Sequence, residues 1–165
     1  AEGRVIRADF GDKSVFSIYF PSGTTGDIRQ TVKYQFLDYI YTYLVDLQKQ
    51  GRKLIVCGDY NICHEAIDIH DPKGNKFSAG FTTEERNSFS EFLKNGWVDT
   101  FRDMNKDVVL YSYWTYFFNC RAKNKGWRLD YFIVDENSKK NVVNSEILTN
   151  YLGSDHCPIK LTWKN

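Results

Sequence analysis

The run Lys53-Leu54-Ile55-Val56-Cys57, passing directly into Gly58-Asp59-Tyr60-Asn61, decides how this chain is read. A short, continuous apolar run is the pattern of a strand covered on both faces, as in the central strands of an α/β sheet. Open α/β sheets tend to place ligand sites at the carboxyl ends of their strands, and that is where Asp59 and Asn61 stand. Two residues apart on an extended segment, their side chains point the same way, toward one water or metal ion. Gly-Asp-x-Asn is equally rich in turn formers, so a plain turn accounts for the same residues. Cys57, within the apolar run, reads as a small buried thiol.

Upstream, Arg4 to Phe10 alternates, Gly11-Asp12 supplies a turn, and Val15 to Phe20 continues, which predicts a β-hairpin closed by Pro21-Ser22-Gly23. From Asp27 to Gln50 the period becomes helical. Val32, Phe36, Ile40, Tyr43, Leu44 and Leu47 mark a core-packing face, and Gly51 ends the run. Downstream, Asn61 to Gly80 is a long polar connection carrying Pro72-Lys73-Gly74-Asn75-Lys76, the kind of loop that is functional or disordered. Thr82-Thr83-Glu84-Glu85 matches a capping box that opens a helix through Phe89, Phe92 and Leu93. Strands are predicted at Tyr111 to Phe118 and Arg128 to Val134, joined by Asn119 to Trp127, and again at Ile159 to Trp163. No repeat or linker divides the chain, so residues 1–165 read as one α/β domain with hairpins, part of a layered sandwich.

Composition narrows the function. With 22 Lys+Arg against 21 Asp+Glu, the net charge of +1 excludes a polycation, so any nucleic-acid contact must come from a local patch. Tyr, Phe and Trp number 11, 12 and 4, too many for a disordered segment. No stretch approaches the roughly 18 consecutive apolar residues of a membrane span. The four cysteines form no C-x-x-C pair, which removes support for a thiolate zinc knuckle and points to a reducing compartment. His64-Glu65 and His70 do not have the i, i+4 spacing of a zinc-protease helix. Ala1 is not Met and the chain opens almost directly into a strand, so a longer parent is expected.

The remaining candidates are polar residues at strand edges. Asp130 lies within Trp127-Arg128-Leu129-Asp130-Tyr131-Phe132-Ile133-Val134, where a carboxylate must be paired: with Arg128 as a structural salt bridge, or with a functional partner. Ser154-Asp155-His156 supplies such a partner, an imidazole whose tautomer a carboxylate would fix. Tyr19 is either a phenol donor or a half-buried strand residue. Arg121, Lys123, Lys125 and Arg128 form a basic run without an acid, beside Trp114, Tyr116, Phe117, Phe118 and Trp127. Basic groups contact phosphates and aromatics stack on bases, although a solvated loop over core aromatics explains the same pattern.

Taken together, Ile18-Tyr19-Phe20-Pro21, Gly58-Asp59-Tyr60-Asn61, Asn75 within Pro72 to Lys76, Trp97 to Arg102, Trp127 to Tyr131 and Gly153 to Pro158 resemble the C-terminal part of the exonuclease III-type apurinic/apyrimidinic (AP) endonucleases. Tyr113 to Asn119 is similar to the branch that includes the eukaryotic repair enzymes. The resemblance implies a four-layer, DNase I-like α/β sandwich with mixed, mostly antiparallel sheets and flanking helices. It implies hydrolysis of DNA phosphodiesters with Mg²⁺ (or Mn²⁺), by incision 5′ to abasic sites in double-stranded DNA and by 3′–5′ exonuclease action.

By the same resemblance, Asp59 orients or deprotonates the attacking water and Asn61 holds the site. His156, aligned by Asp130, contacts the phosphate, and Tyr19 hydrogen-bonds it. Asp59, Asn61 and Asp155 serve the metal. Asn75, Tyr113, Phe117, Arg121, Lys123, Lys125 and Trp127 contact DNA. The compartment implied is the cytoplasm, with the nucleoid, in a bacterium, or the nucleus in a eukaryote. The chain lacks the family's N-terminal half, with its Asn-bearing strand and metal-binding Glu, and is expected to be a poor nuclease alone. Ser22, Ser78, Phe117 and Thr24-Thr25 depart from residues that relatives use on DNA. A phosphoesterase of another substrate class, a nonspecific nuclease and a catalytically silent DNA-binding fragment are the competing readings.

Overall fold

A computed structural model describes residues 2–164. The predicted hairpin is present as β1 (Val5–Phe10) and β2 (Lys13–Ile18), paired antiparallel. Helix α1 (Asp27–Lys49) then crosses to β3 (Lys53–Asp59), which lies parallel to β2. After α2 (Thr83–Lys94) come β4 (Trp97–Asp99) and the short α3 (Thr100–Met104). Strand β5 (Asp130–Asp135) inserts between β3 and β4, antiparallel to both, giving a five-stranded sheet in the order β1-β2-β3-β5-β4. The antiparallel pair β6 (Val142–Ile147) and β7 (Ile159–Trp163) forms a second sheet. Among the described residues no helix is long and apolar enough to cross a membrane.

The alternation along each strand sorts the core into two layers. Phe16, Ile18, Leu54, Val56, Tyr131 and Ile133 face α1 and α2, where Leu37, Ile40, Leu44, Phe89 and Phe92 meet them. Each such fully buried side chain contributes about 1.5–3 kcal/mol relative to exposure. On the other face, Ile55, Val98 and Val134 pack with Phe132, Leu161 and Trp163, which brings the two-stranded sheet alongside.

The sequence-based expectations need several corrections. Tyr111 to Phe118 is not a strand. It contributes only isolated bridges at Tyr113, and Phe117–Asn119 turns in a 3-10 helix with Phe118 at a left-handed φ of 58°. The buried stripe of α1 is centred on Lys33, Leu37, Ile40, Tyr41, Leu44 and Leu47, while Val32, Phe36 and Tyr43 are only half-buried at its margin. Cys57 is half-buried rather than buried, because β3 is open on that face near its end. The long polar connection from Asn61 to Gly80 is anchored in the interior at its first half, where Ile62, Cys63, Asp68 and Ile69 are all buried.

Arg128 also departs from the simplest expectation. It does not pair with Asp130. Fully buried, it donates from Nε and Nη2 to Asp68 at 2.7 and 3.0 Å, and from Nη1 and Nη2 to Asp99 at 3.1 and 2.7 Å. Arg102 adds a second cation to Asp68 at 2.6 Å, and the Arg128 guanidinium lies over the Tyr131 ring at 4.4 Å. The network clamps the 62–70 segment, the β4–α3 junction and the start of β5 to one another.

Burial raises the Asp68 carboxyl, but Arg128 and Arg102 outweigh burial and hold it below its ordinary value of 3.8. Its contribution to stability is therefore complete above that value and is lost as pH falls through the lowered one. Arg128→Met leaves buried Asp99 without its cation and Asp68 with Arg102 alone, and should destabilise the fold by about 3–5 kcal/mol, read as a lower urea midpoint at neutral pH.

Candidate active site

Because β2 and β3 run parallel, both end at one edge of the sheet, and antiparallel β5 begins there. Tyr19 follows β2, Asp59 closes β3 and Asp130 opens β5. The register places Asp59 directly opposite Asp130. The sheet continues past the named strands through Phe20 N–H donating to the Asp59 carbonyl at 2.9 Å and Tyr60 N–H donating to that of Leu129 at 2.8 Å. His156 arrives by a different route. Single antiparallel bridges link Ile69 to Trp127, Trp127 to Tyr113 and Tyr113 to His156, a narrow ladder in place of the strand expected at Tyr111 to Phe118.

That ladder brings His156 Nδ1 to 2.8 Å from Asp130 Oδ2. Ser112, fully buried, donates its hydroxyl to the same oxygen at 2.7 Å and accepts the N–H groups of Leu129 and Asp130, each at 3.0 Å. The Tyr113 ring packs on the imidazole with centroids 4.9 Å apart. Burial lowers the His156 pKa, but the Asp130 hydrogen bond and the charges of Asp130, Asp59 and Asp155 outweigh it, so the imidazolium is favoured beyond the ordinary 6.5. The Nδ1 proton belongs to Asp130, which leaves Nε2 as the other ring donor.

Asp59 has the opposite environment. Burial and then the facing Asp130 charge push its carboxyl up to about 6. Both of its oxygens are held by Asn61, whose main-chain N–H donates to Oδ1 at 2.8 Å and whose Nδ2 donates to Oδ2 at 3.0 Å. Asn61 adopts a left-handed φ of 52°, so the turn and the site foreseen at Asp59-Tyr60-Asn61 are the same object.

A cleft of about 500 Å³ opens here, lined by Tyr19, Asp59, Asn61, Tyr113, Lys125, Trp127, Asp155 and His156. Tyr19 is 53% exposed, not half-buried in its strand, and its ring stands under the Arg4 guanidinium at 4.8 Å. Four further candidates lie outside the cleft lining. Asn75 braces its own loop, donating to the Asp71 carbonyl at 2.9 Å and accepting from Ser78 Oγ at 3.1 Å. Phe117 stands out with Tyr116 and Phe118, each at least 72% exposed. Lys123 donates to the Phe118 carbonyl. Arg121 covers Trp114 and commits its guanidinium to the carbonyls of Thr149, Tyr151 and Ser154 at 3.0, 2.6 and 2.9 Å.

Sequence reasoning missed Ser112, which carried no signal among its aromatic neighbours. It also missed Lys33, whose charge on the buried stripe of α1 was visible in the helical period.

Asp130→Asn removes the largest influences that raise His156 and leaves the burial that lowers it. The His156 titration, followed by NMR of the ring Cε1 proton, should move down from its raised position, with the Asp59 and Asp155 charges left to oppose burial. The unaltered pair contributes stability below pH 6.5 that is lost as pH rises through the raised His156 value, and the variant should lack that dependence.

The geometry can be set beside known proteins. The chain is 42% identical over 167 residues to the "DNA repair nuclease APEX1" of Danio rerio, covering 97% of this chain and 52% of that protein. It is 39% identical over 161 residues to the "Exodeoxyribonuclease" of Bacillus subtilis (strain 168), covering 97% of this chain and 64% of that one. The chain thus spans between about half and two thirds of the length of these two relatives. Its fold superimposes on the solved AP endonuclease LMAP of Leishmania major with a TM-score of 0.90 at 29% identity, over 99% of this chain and 55% of that one. It therefore has the α/β architecture of that enzyme. A family model matches residues 2–156, and the chain belongs to the endonuclease/exonuclease/phosphatase family.

Proposed function

We propose that residues 1–165 are the C-terminal portion of a divalent-metal-dependent DNA repair hydrolase, an AP endonuclease that cuts 5′ to abasic sites in duplex DNA and trims 3′ ends. The observation that carries this reading is the 2.8 Å contact between His156 and Asp130 at the sheet edge where Asp59 faces Asp130. A carboxylate whose charged form is disfavoured and an imidazole whose charged form is favoured then share one cleft. The names of the relatives support nuclease chemistry on DNA. The exposure of Ile6 at 70% and Phe10 at 61% on β1 supports a further segment lying against that strand.

Asp59, ionised above about pH 6, accepts a proton from the attacking water at a carboxylate oxygen that Asn61 keeps in place. His156, oriented through Nδ1, offers its Nε2 proton and positive charge to a phosphate oxygen, and the Tyr19 phenol donates to another. Asp59, Asn61 and Asp155 present hard oxygen donors to the cleft, which suits Mg²⁺ or Mn²⁺ in kind. Among the described residues no three Asp, Glu, His or Cys side chains gather as a metal-ligating set, so these three supply only part of a shell. When bound, such an ion neutralises charge growing on phosphate oxygens.

Lys125, Tyr113 and Trp127 at the cleft, with Phe117 and Lys123 beyond it, supply the cation and aromatic contacts for a DNA backbone and its bases. Asn75 and Arg121 act on DNA by fixing the loops that carry these groups. The setting is the nucleoid of a bacterium or the nucleus of a eukaryote.

The test is a labelled duplex with one abasic site, incubated with the complete protein with and without chelator. Magnesium-dependent incision 5′ to the lesion is expected. Asp59→Asn should lower kcat/KM by about 10²–10⁴-fold with duplex affinity retained. Absence of incision under magnesium, or equal cutting of an undamaged duplex, would overturn the abasic-site assignment.

A further inference from the structure

Besides the Arg128 network, the described residues hold a second buried ionic pair, and this one reaches the cleft. Lys33 on α1 and Glu85 on α2 are both fully buried, with Nζ 2.5 Å from Oε1. Glu85 has no spare role as a simple helix cap. Its Oε1 also accepts from Gln30 Nε2 at 3.0 Å, while its Oε2 accepts from Gly80 N–H, Thr82 N–H and the Thr82 hydroxyl at 2.7, 3.0 and 3.1 Å. Lys33 Nζ makes a second contact that has nothing to do with joining helices: it donates to the main-chain carbonyl of Asn61 at 2.7 Å.

Burying two charges costs several kcal/mol per ion before their attraction is counted, and apolar residues of like volume often serve stability as well. A pair retained in the core needs a use beyond holding α1 to α2. The geometry points to one: we infer that the Lys33–Glu85 pair is a positioning device for Asn61, and through Asn61 for the Asp59 carboxylate. The inference rests on the functional reading of Asp59 given above.

Three features besides the Lys33 bond bear on the placement of Asn61. Asn61 holds a left-handed φ of 52°, a conformation that costs a non-glycine residue energy unless its surroundings fix it. Gly80 approaches so closely that a Cβ there would lie 3.0 Å from the Asn61 oxygen, and its own N–H is bound to Glu85. Asn61 then donates its main-chain N–H and its Nδ2 to Asp59, and Nδ2 donates to the Phe20 carbonyl as well, at 3.0 Å. The ammonium anchors one side of the Asn61 peptide, Glu85 anchors the neighbouring cleft wall, and the Asp59 oxygens take the position these anchors leave them. Lys33 and Glu85 touch no reacting atom.

The double variant Lys33→Met, Glu85→Gln removes both charges, keeps the side-chain volumes and leaves an acceptor for Gly80 and Thr82. In the complete protein on an abasic duplex, kcat should fall by about 10–100-fold with KM within about twofold, because misplaced catalytic groups weaken the chemical step rather than the grip on DNA. Circular dichroism and melting curves establish that the variant is folded. A folded double variant with kcat unchanged would overturn the inference, as would an equal fall in kcat and rise in KM.

Hydrogen exchange of the Asn61 main-chain amide supplies a reading that does not depend on activity. In the unaltered protein it should be protected to the level of the β3 amides. Exchange at the rate of an unstructured chain would sink the proposal. If the unaltered protein cuts no abasic duplex, the functional reading fails, and the role of the pair is then read from the same amide in the folded double variant, which should lose protection while the β3 amides keep theirs; unchanged protection there would overturn the inference.

Discussion

Two carboxylates stand opposite each other on neighbouring strands, Asp59 on β3 and Asp130 on β5, and the local structure is organised around that repulsion. Like charges in directly paired positions destabilise a sheet, and partial burial makes the cost larger. Each acid is relieved by a different partner. Asp130 receives the Ser112 hydroxyl and the His156 ring, while Asp59 receives two N–H groups from one asparagine. The relief is unequal, and that inequality leaves one acid able to exchange a proton in the neutral range beside a histidine held toward its charged form. A carboxylate that titrates near neutrality beside a histidine held protonated is a pairing that acid–base chemistry can use.

The parts of the fold that were legible in the sequence are those whose pattern is local. The hairpin, α1, β3 and the capping box at Thr82 announce themselves through alternation, helical period and turn residues within a few positions. Strands β4 and β6 were not identified: one is three residues long, and the other mixes Asn, Ser and Glu with its apolar positions. The expected strand at Tyr111 failed for a converse reason. Its aromatic, β-forming residues pack as a cluster around Tyr111 and Trp114, while its backbone pairs only at one point on each side.

The site residues were legible as types, since an Asp in an apolar strand and a His beside the last strand both ask for a partner. Which partner each takes is a long-range fact. Arg128 stands two residues from Asp130 and yet binds Asp68 and Asp99, because its side chain turns into the interior toward the 62–70 segment. Capping chemistry made Glu85 visible at Thr82, but its contact with Lys33 depends on how two helices lie together, which no local pattern contains.

Arg121 carries a last consequence. Its guanidinium is tied to three carbonyls between Thr149 and Ser154, and its plane rests on Trp114. The exposed aromatic tip at Phe117 and Phe118 and the turn leading into Asp155 and His156 are thereby stitched into one stiff unit. Pressure on that tip from a docked surface is not absorbed by a slack loop. The arginine ties that tip to the stretch of backbone that leads into the histidine.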